Sequence, residues 1–117
     1  MLKVYQIVLT DLEITIANQG GSTPKLKAFF DRTFESTFDP KNFEHYTHVA
    51  NVDVDGFEQA FRVMNLWEDD ENFDRVKIVT ESGRCSSMSV GDIIADHDGK
   101  LYRCASFGFT PLNNYNS

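Results

Sequence analysis

The feature that most constrains this chain lies near its C-terminal end. Ser89-Val90-Gly91-Asp92-Ile93-Ile94 is followed by Asp98-Gly99-Lys100-Leu101-Tyr102 and then by Ser106-Phe107-Gly108-Phe109. Two β-prone runs flank a polar, glycine-containing loop, which is the local pattern of a β-hairpin. Gly91 tolerates positive φ, Asp92 can hydrogen-bond nearby amides, and Asp98-Gly99 suits a turn between Ile93-Ile94-Ala95 and Leu101-Tyr102. These are architectural signals; no reactive constellation sits among them.

Length and charge narrow the rest. A chain of 117 residues is expected to be one domain, residues 1–117, large enough to bury a sufficient core without metals or disulfides. Eighteen acidic against 11 basic residues give a net charge of −7, which opposes non-specific attraction to nucleic-acid phosphates. Cys85 and Cys104 flank the hairpin, but without a cysteine-dense framework they read as reduced thiols. Leu2 to Leu9 is too short for a membrane span and lacks a signal peptide's cleavage pattern, so a cytoplasmic protein of a host cell, without membrane contact, is expected.

The order of elements follows from periodicity and caps. Lys3 to Leu9 is β-prone. Thr10 with Glu13 forms a capping-box pattern for a helix to Asn18, closed by Gly20-Gly21. Ser22-Thr23-Pro24 opens a second helix with Leu26, Phe29, Phe30, Thr33 and Phe34 on one stripe, expected to be core. Glu35 to Glu44 reads as a surface connection. His45 to Val54 reads as a strand with Tyr46, His48, Ala50, Val52 and Val54 on one side. Asp55 caps a third helix whose buried stripe is Phe57, Ala60, Phe61 and Met64. Arg75 to Thr80 alternates as a half-exposed strand, and Asn113 to Ser117 is expected to be a polar tail. The sum is an α+β domain: a mainly antiparallel sheet of four or five strands with two or three helices packed on one face.

Taken together with Tyr46-Thr47-His48-Val49-Ala50-x-Val52 and Glu58-x-Ala60-Phe61-x-x-x-Asn65, the hairpin residues resemble a group of small proteins of phages, plasmids and other mobile elements related to YodL-like domains. The resemblance runs from about Tyr46 to Leu112 and extends toward the start through Val4-Tyr5 and Asn18-x-Gly20-Gly21. It implies a genomic setting and brings no catalytic residues with it.

The chemistry-bearing residues offer several arrangements. His45 and His48, three apart on a strand, point to opposite faces and make a poor metal pair, so no metal or cofactor is expected. His97 between Asp96 and Asp98 reads as a solvated turn histidine. Asp53, Asp55, Glu68, Asp69, Asp70, Glu71 and Asp74 lack the ligand periodicity of an EF-hand loop. Cys85 with Ser86, Ser87 and Ser89 has neither a nucleophile elbow nor a phosphate loop. Tyr102, Phe107 and Phe109 could stack bases, but only Lys100 and Arg103 add positive charge nearby.

The remaining pattern is Trp67 beside Glu68, Asp69, Asp70 and Glu71, with Phe73 close behind. An aromatic anchor next to four carboxylates suits contact with a basic protein, because Trp recurs at binding hot spots and acidic residues steer basic partners. The reading favoured by these observations is a non-enzymatic accessory protein of a phage or mobile element that binds a host or phage protein, for instance as an inhibitor of a defence or regulatory factor. Two other classes remain: a small enzyme or ligand-binding domain with a site assembled from His48, Asp53, Arg84 and Cys85, and a nucleic-acid module.

Overall fold

The computed structural model describes residues 1–34, 36–66, 74–83 and 85–116, the last four by backbone alone. The elements in chain order are β1 (Leu2–Gln6), α1 (Asp11–Asn18), α2 (Pro24–Asp31), a 3-10 helix (Pro40–His45), β2 (Thr47–Val52), α3 (Phe57–Asn65), β3 (Val76–Ile78), β4 (Ile93–Ala95), β5 (Lys100–Cys104) and β6 (Phe109–Asn116). The strands form one sheet in the order β3-β2-β1-β4-β5-β6, with every described pairing antiparallel. The class is α+β, as the element pattern predicts, with six strands where four or five were expected. The extra length comes from β6, which continues through Asn116 where a polar tail was expected.

The helix starts obey local chemistry. Thr10 Oγ1 accepts from the Glu13 N–H (3.1 Å), and Glu13 Oε1 accepts from the Thr10 N–H (2.8 Å), which completes the capping box of α1. Thr23 Oγ1 accepts from the Leu26 N–H (3.1 Å), and Pro24 occupies the first turn of α2. The N-cap of α3 is Gly56 rather than Asp55; the Gln59 side chain accepts from its N–H (3.3 Å).

Strand alternation separates two cores. On one face Leu2, Val4, Ala50, Val52 and Ile94 pack beneath Ala60, Val63 and Met64 of α3. Phe57 lies against Tyr102 and Phe109 with ring centroids 4.7 and 5.2 Å apart, so those two strand aromatics serve packing. Phe61 stands at the rim of the helical stripe and is exposed, its expected place taken by Val63. On the other face Ile93, Ala95, Leu101 and Leu112 pack against Phe38, Phe43 and Tyr46. The segment read as a surface connection therefore supplies the second core's cover, through two phenylalanines that its sparse periodicity conceals.

A bulge changes what β2 presents. Val4 pairs with Ala50, but Tyr5 pairs with His48, so Val49 is an extra residue and the alternation inverts across it. His48 then shares a face with Asn51, to which its Nε2 is hydrogen-bonded at 2.8 Å, instead of the face of Ala50 and Val52. His45 ends the 3-10 helix and lies outside the strand.

Candidate functional site

The Ser89–Asp92 turn is the anchor of a buried polar cluster. Gly91 has φ +93° and donates its N–H to the Cys104 carbonyl (2.8 Å), while Cys104 N–H donates to the Asp92 carbonyl (2.8 Å). A Cβ on Gly91 would stand 2.5 Å from the Arg32 carbonyl oxygen, so the turn needs glycine for space as well as for φ. Tyr46 donates its hydroxyl hydrogen to the Gly91 carbonyl. Arg103, buried on β5, donates from Nε and Nη2 to the Arg32 carbonyl (3.2 and 2.9 Å), and its guanidinium lies over the Phe38 ring.

Gln6 ties this turn to the end of β1. Its Nε2 donates to the Ser86 carbonyl (3.0 Å), the Ser87 carbonyl (3.4 Å) and Asp92 Oδ2 (3.0 Å), and its Oε1 accepts from the Ser86 N–H (3.2 Å). Asp92 Oδ2 also accepts from the Ser89 N–H (2.9 Å). A single side-chain amide thus stands in for the ladder that the irregular stretch around Ser86 lacks. Burial pushes the Asp92 carboxyl up to about 6 against the opposing pull of the Ser89 N–H, the Gln6 amide and the Arg32 charge.

Cys85 borders the same region. It is half-buried at one wall of a cleft of about 430 Å³ that Gln6, Ile7, Leu9, Phe29 and Ser86 also line. Burial, with the Asp92 charge behind it, raises its thiol above the ordinary value, and Cys104 is pushed up to about 11 by the same two causes. Both thiols therefore stay protonated at neutral pH, the opposite of what a nucleophilic cysteine requires. Both cysteines are free.

Of the residues considered for an assembled site, His48, Asp53 and Cys85 are not brought together. His48 lies on the face opposite the core against which Cys85 packs. Asp53 follows Val52, which pairs with Leu2 at the far end of β1 from Gln6 and its neighbour Cys85. Arg84 lies outside the described residues. Among the described residues, no cluster of three or more His, Cys, Asp or Glu could hold a metal ion, and no helix is long and apolar enough to cross a membrane.

Trp67, Glu68, Asp69, Asp70, Glu71 and Phe73 also lie outside the described residues. The structure directs attention to a different aromatic surface. Phe107, in the turn joining β5 to β6, is 97% exposed, and Phe34, beyond the end of α2, is 67% exposed. The two line one groove of about 370 Å³ with Thr33, Arg103, Ala105 and Ser106. Phe30 on α2 is exposed as well, so the aromatic stripe read as core turns outward beyond Leu26 and Phe29. The sequence signal for Phe107 was its place between Ser106 and Gly108, a turn context in which a large apolar side chain has no folding role.

No family model, curated protein or solved structure matches the chain.

Proposed function

We propose that this chain is a non-enzymatic binding protein that works by contacting another protein, as an accessory factor of a phage or mobile element. The observation that carries the reading is the almost complete exposure of Phe107 beside the exposed Phe34. Leaving a phenylalanine in water forfeits on the order of 2 kcal/mol of burial, and binding a partner recovers it. The mobile-element setting rests on the resemblance of the hairpin and β2–α3 residues to YodL-like proteins. The charge of −7 supports a partner with a basic surface, and Glu68, Asp69, Asp70 and Glu71 are its proposed steering residues, with Trp67 and Phe73 as anchors.

Affinity capture tests this directly. Tagged wild-type protein, Phe107→Ser and a variant with amides in place of Glu68, Asp69, Asp70 and Glu71 are incubated with bacterial lysate and eluted for mass spectrometry. The reading expects a partner that wild type retains and Phe107→Ser loses, with slower capture by the amide variant. Equal yields of the same proteins from all three would overturn it.

A further inference from the structure

The sheet face that carries the second core is covered over β4, β5 and β6 and at the Tyr5 end of β1, where Phe43 packs against the Tyr5 ring with centroids 5.1 Å apart. Across β3, β2 and β1 the register sets Lys77 opposite Asn51 and Asn51 opposite Lys3, one row of side chains on that face. Their chain neighbours Val76, Ala50, Val52, Leu2 and Val4 pack on the other face, which fixes the direction of the row. One step along, the Asp53 N–H donates to the Arg75 carbonyl (2.8 Å), so Arg75 and Asp53 continue the same alternation. Lys3, Arg75 and Lys77 are exposed, and among the described residues none of them pairs with a carboxylate. His48, bonded to Asn51, borders the row. In a chain with a net charge of −7, three cations against the one carboxylate of Asp53, itself exposed opposite Arg75, are thus gathered on this half-face, where folding would accept any polar side chain.

We propose that this half-face, built from Lys3, Asn51, Arg75 and Lys77, binds a short, extended acidic segment of a partner protein. Lys77 on β3 and Arg75 just before that strand lie two residues apart, about 6.6 Å if the chain is extended there, which is the spacing of alternate side chains on an extended peptide. Lys3 and Lys77 are two strands apart, about 10 Å, so the strip accepts a few carboxylates and no more. A short acidic peptide ends within the strip. A long polyanion such as single-stranded nucleic acid runs past it and meets the negative charge carried by the rest of the molecule. This surface is separate from the Phe34–Phe107 groove, and its test does not depend on that groove.

The experiment follows backbone amide shifts of isotope-labelled protein at low salt during titration with a hexapeptide bearing Glu at alternate positions. The matching Gln peptide and a six-nucleotide oligothymidylate are run in parallel. Shifts centred on Lys3, Asn51 and Lys77 with the Glu peptide alone are expected, weakening about tenfold when salt is raised to a few hundred millimolar. Lys3→Gln with Lys77→Gln, both exposed sites, should leave the rest of the spectrum in place and lower the affinity about tenfold or more. Absence of shifts with the Glu peptide, equal binding by the Gln peptide, or undiminished affinity in the double variant would overturn the proposal. Oligothymidylate binding at these residues in preference to the peptide would overturn it in favour of a nucleic-acid surface.

Discussion

Gln6 and Asp92, 86 residues apart in the chain, are joined side chain to side chain at 3.0 Å in a buried site. The bond fastens the end of β1 to the Ser89–Asp92 turn, and it places an ionisable group where water does not reach. Asp92 is 3% exposed.

That burial has a pH signature. The folded carboxyl titrates at about 6, above its ordinary 3.8, so between those values the native state holds a proton that the unfolded chain releases. Stability from this group is therefore greatest below about pH 4 and declines as pH rises to about 6, by on the order of 3 kcal/mol, and is flat above. Urea midpoints measured from pH 4 to 7 should show this decline superimposed on the other titrations. Asp92→Asn, which keeps an oxygen to accept from Gln6 and Ser89, should remove it and match or exceed wild type at pH 7. A wild-type decline that persists unchanged in the Asn variant would assign it elsewhere.

Two turn glycines should respond unequally to substitution. Gly99 has φ +83° between Asp98 and Lys100, and Gly99→Val should cost about 1 kcal/mol or more. Gly91→Ala should cost more, about 3 kcal/mol, because the new methyl also meets the Arg32 carbonyl. Chemical denaturation of the two variants gives the order, and an equal loss would mean that Arg32 moves aside without cost.

Arg103 is a structural cation. Arg103→Met keeps the length and removes the bonds to the Arg32 carbonyl and the contact with Phe38, so a loss of about 2–4 kcal/mol is expected. Phe107→Ser should stay within about 0.5 kcal/mol of wild type, since its ring is in solvent. Melting temperatures of the pair distinguish a residue that holds the fold from one available for contact.

A chelator together with a reductant should shift the melting temperature by no more than about 1 °C, because both cysteines are free and, among the described residues, no three His, Cys, Asp or Glu side chains are grouped to hold a metal ion. A fall of many degrees would reveal a ligand set among residues treated above as structural.

Local signals carried much of the fold. Thr10 with Glu13, and Thr23 with Pro24, locate two helix starts because a cap acts within four residues. The Asp98-Gly99 turn is legible for the same reason: Asp96 Oδ1 accepts from the Asp98 and Lys100 N–H groups, both 2.9 Å, inside one short loop. What the sequence hid depends on partners far along the chain. His48 changes face because Val49 is bulged against β1, and nothing in the run Thr47 to Val52 marks that residue. Phe34 follows a helical stripe, yet α2 stops at Asp31 and the stripe loses its meaning beyond it, while Phe30, inside α2, lies on the exposed side of the helix. The Gln6–Asp92 bond has no local signature at all, since a lone Gln closing a strand pattern reads as a solvent-facing residue.

The sheet order has a consequence in time. β1 sits in the interior of the sheet, with Lys3 paired to Asn51 on one side and to Ala95 on the other. During synthesis its second flank stays open until β4 leaves the ribosome, and Gln6 waits equally long for the turn that satisfies its amide. Closure of so distant a pairing makes folding a late, single event, with rates toward the slower end for domains of this size. In that interval Leu2 and Val4, which end fully buried, are exposed to water in the nascent chain.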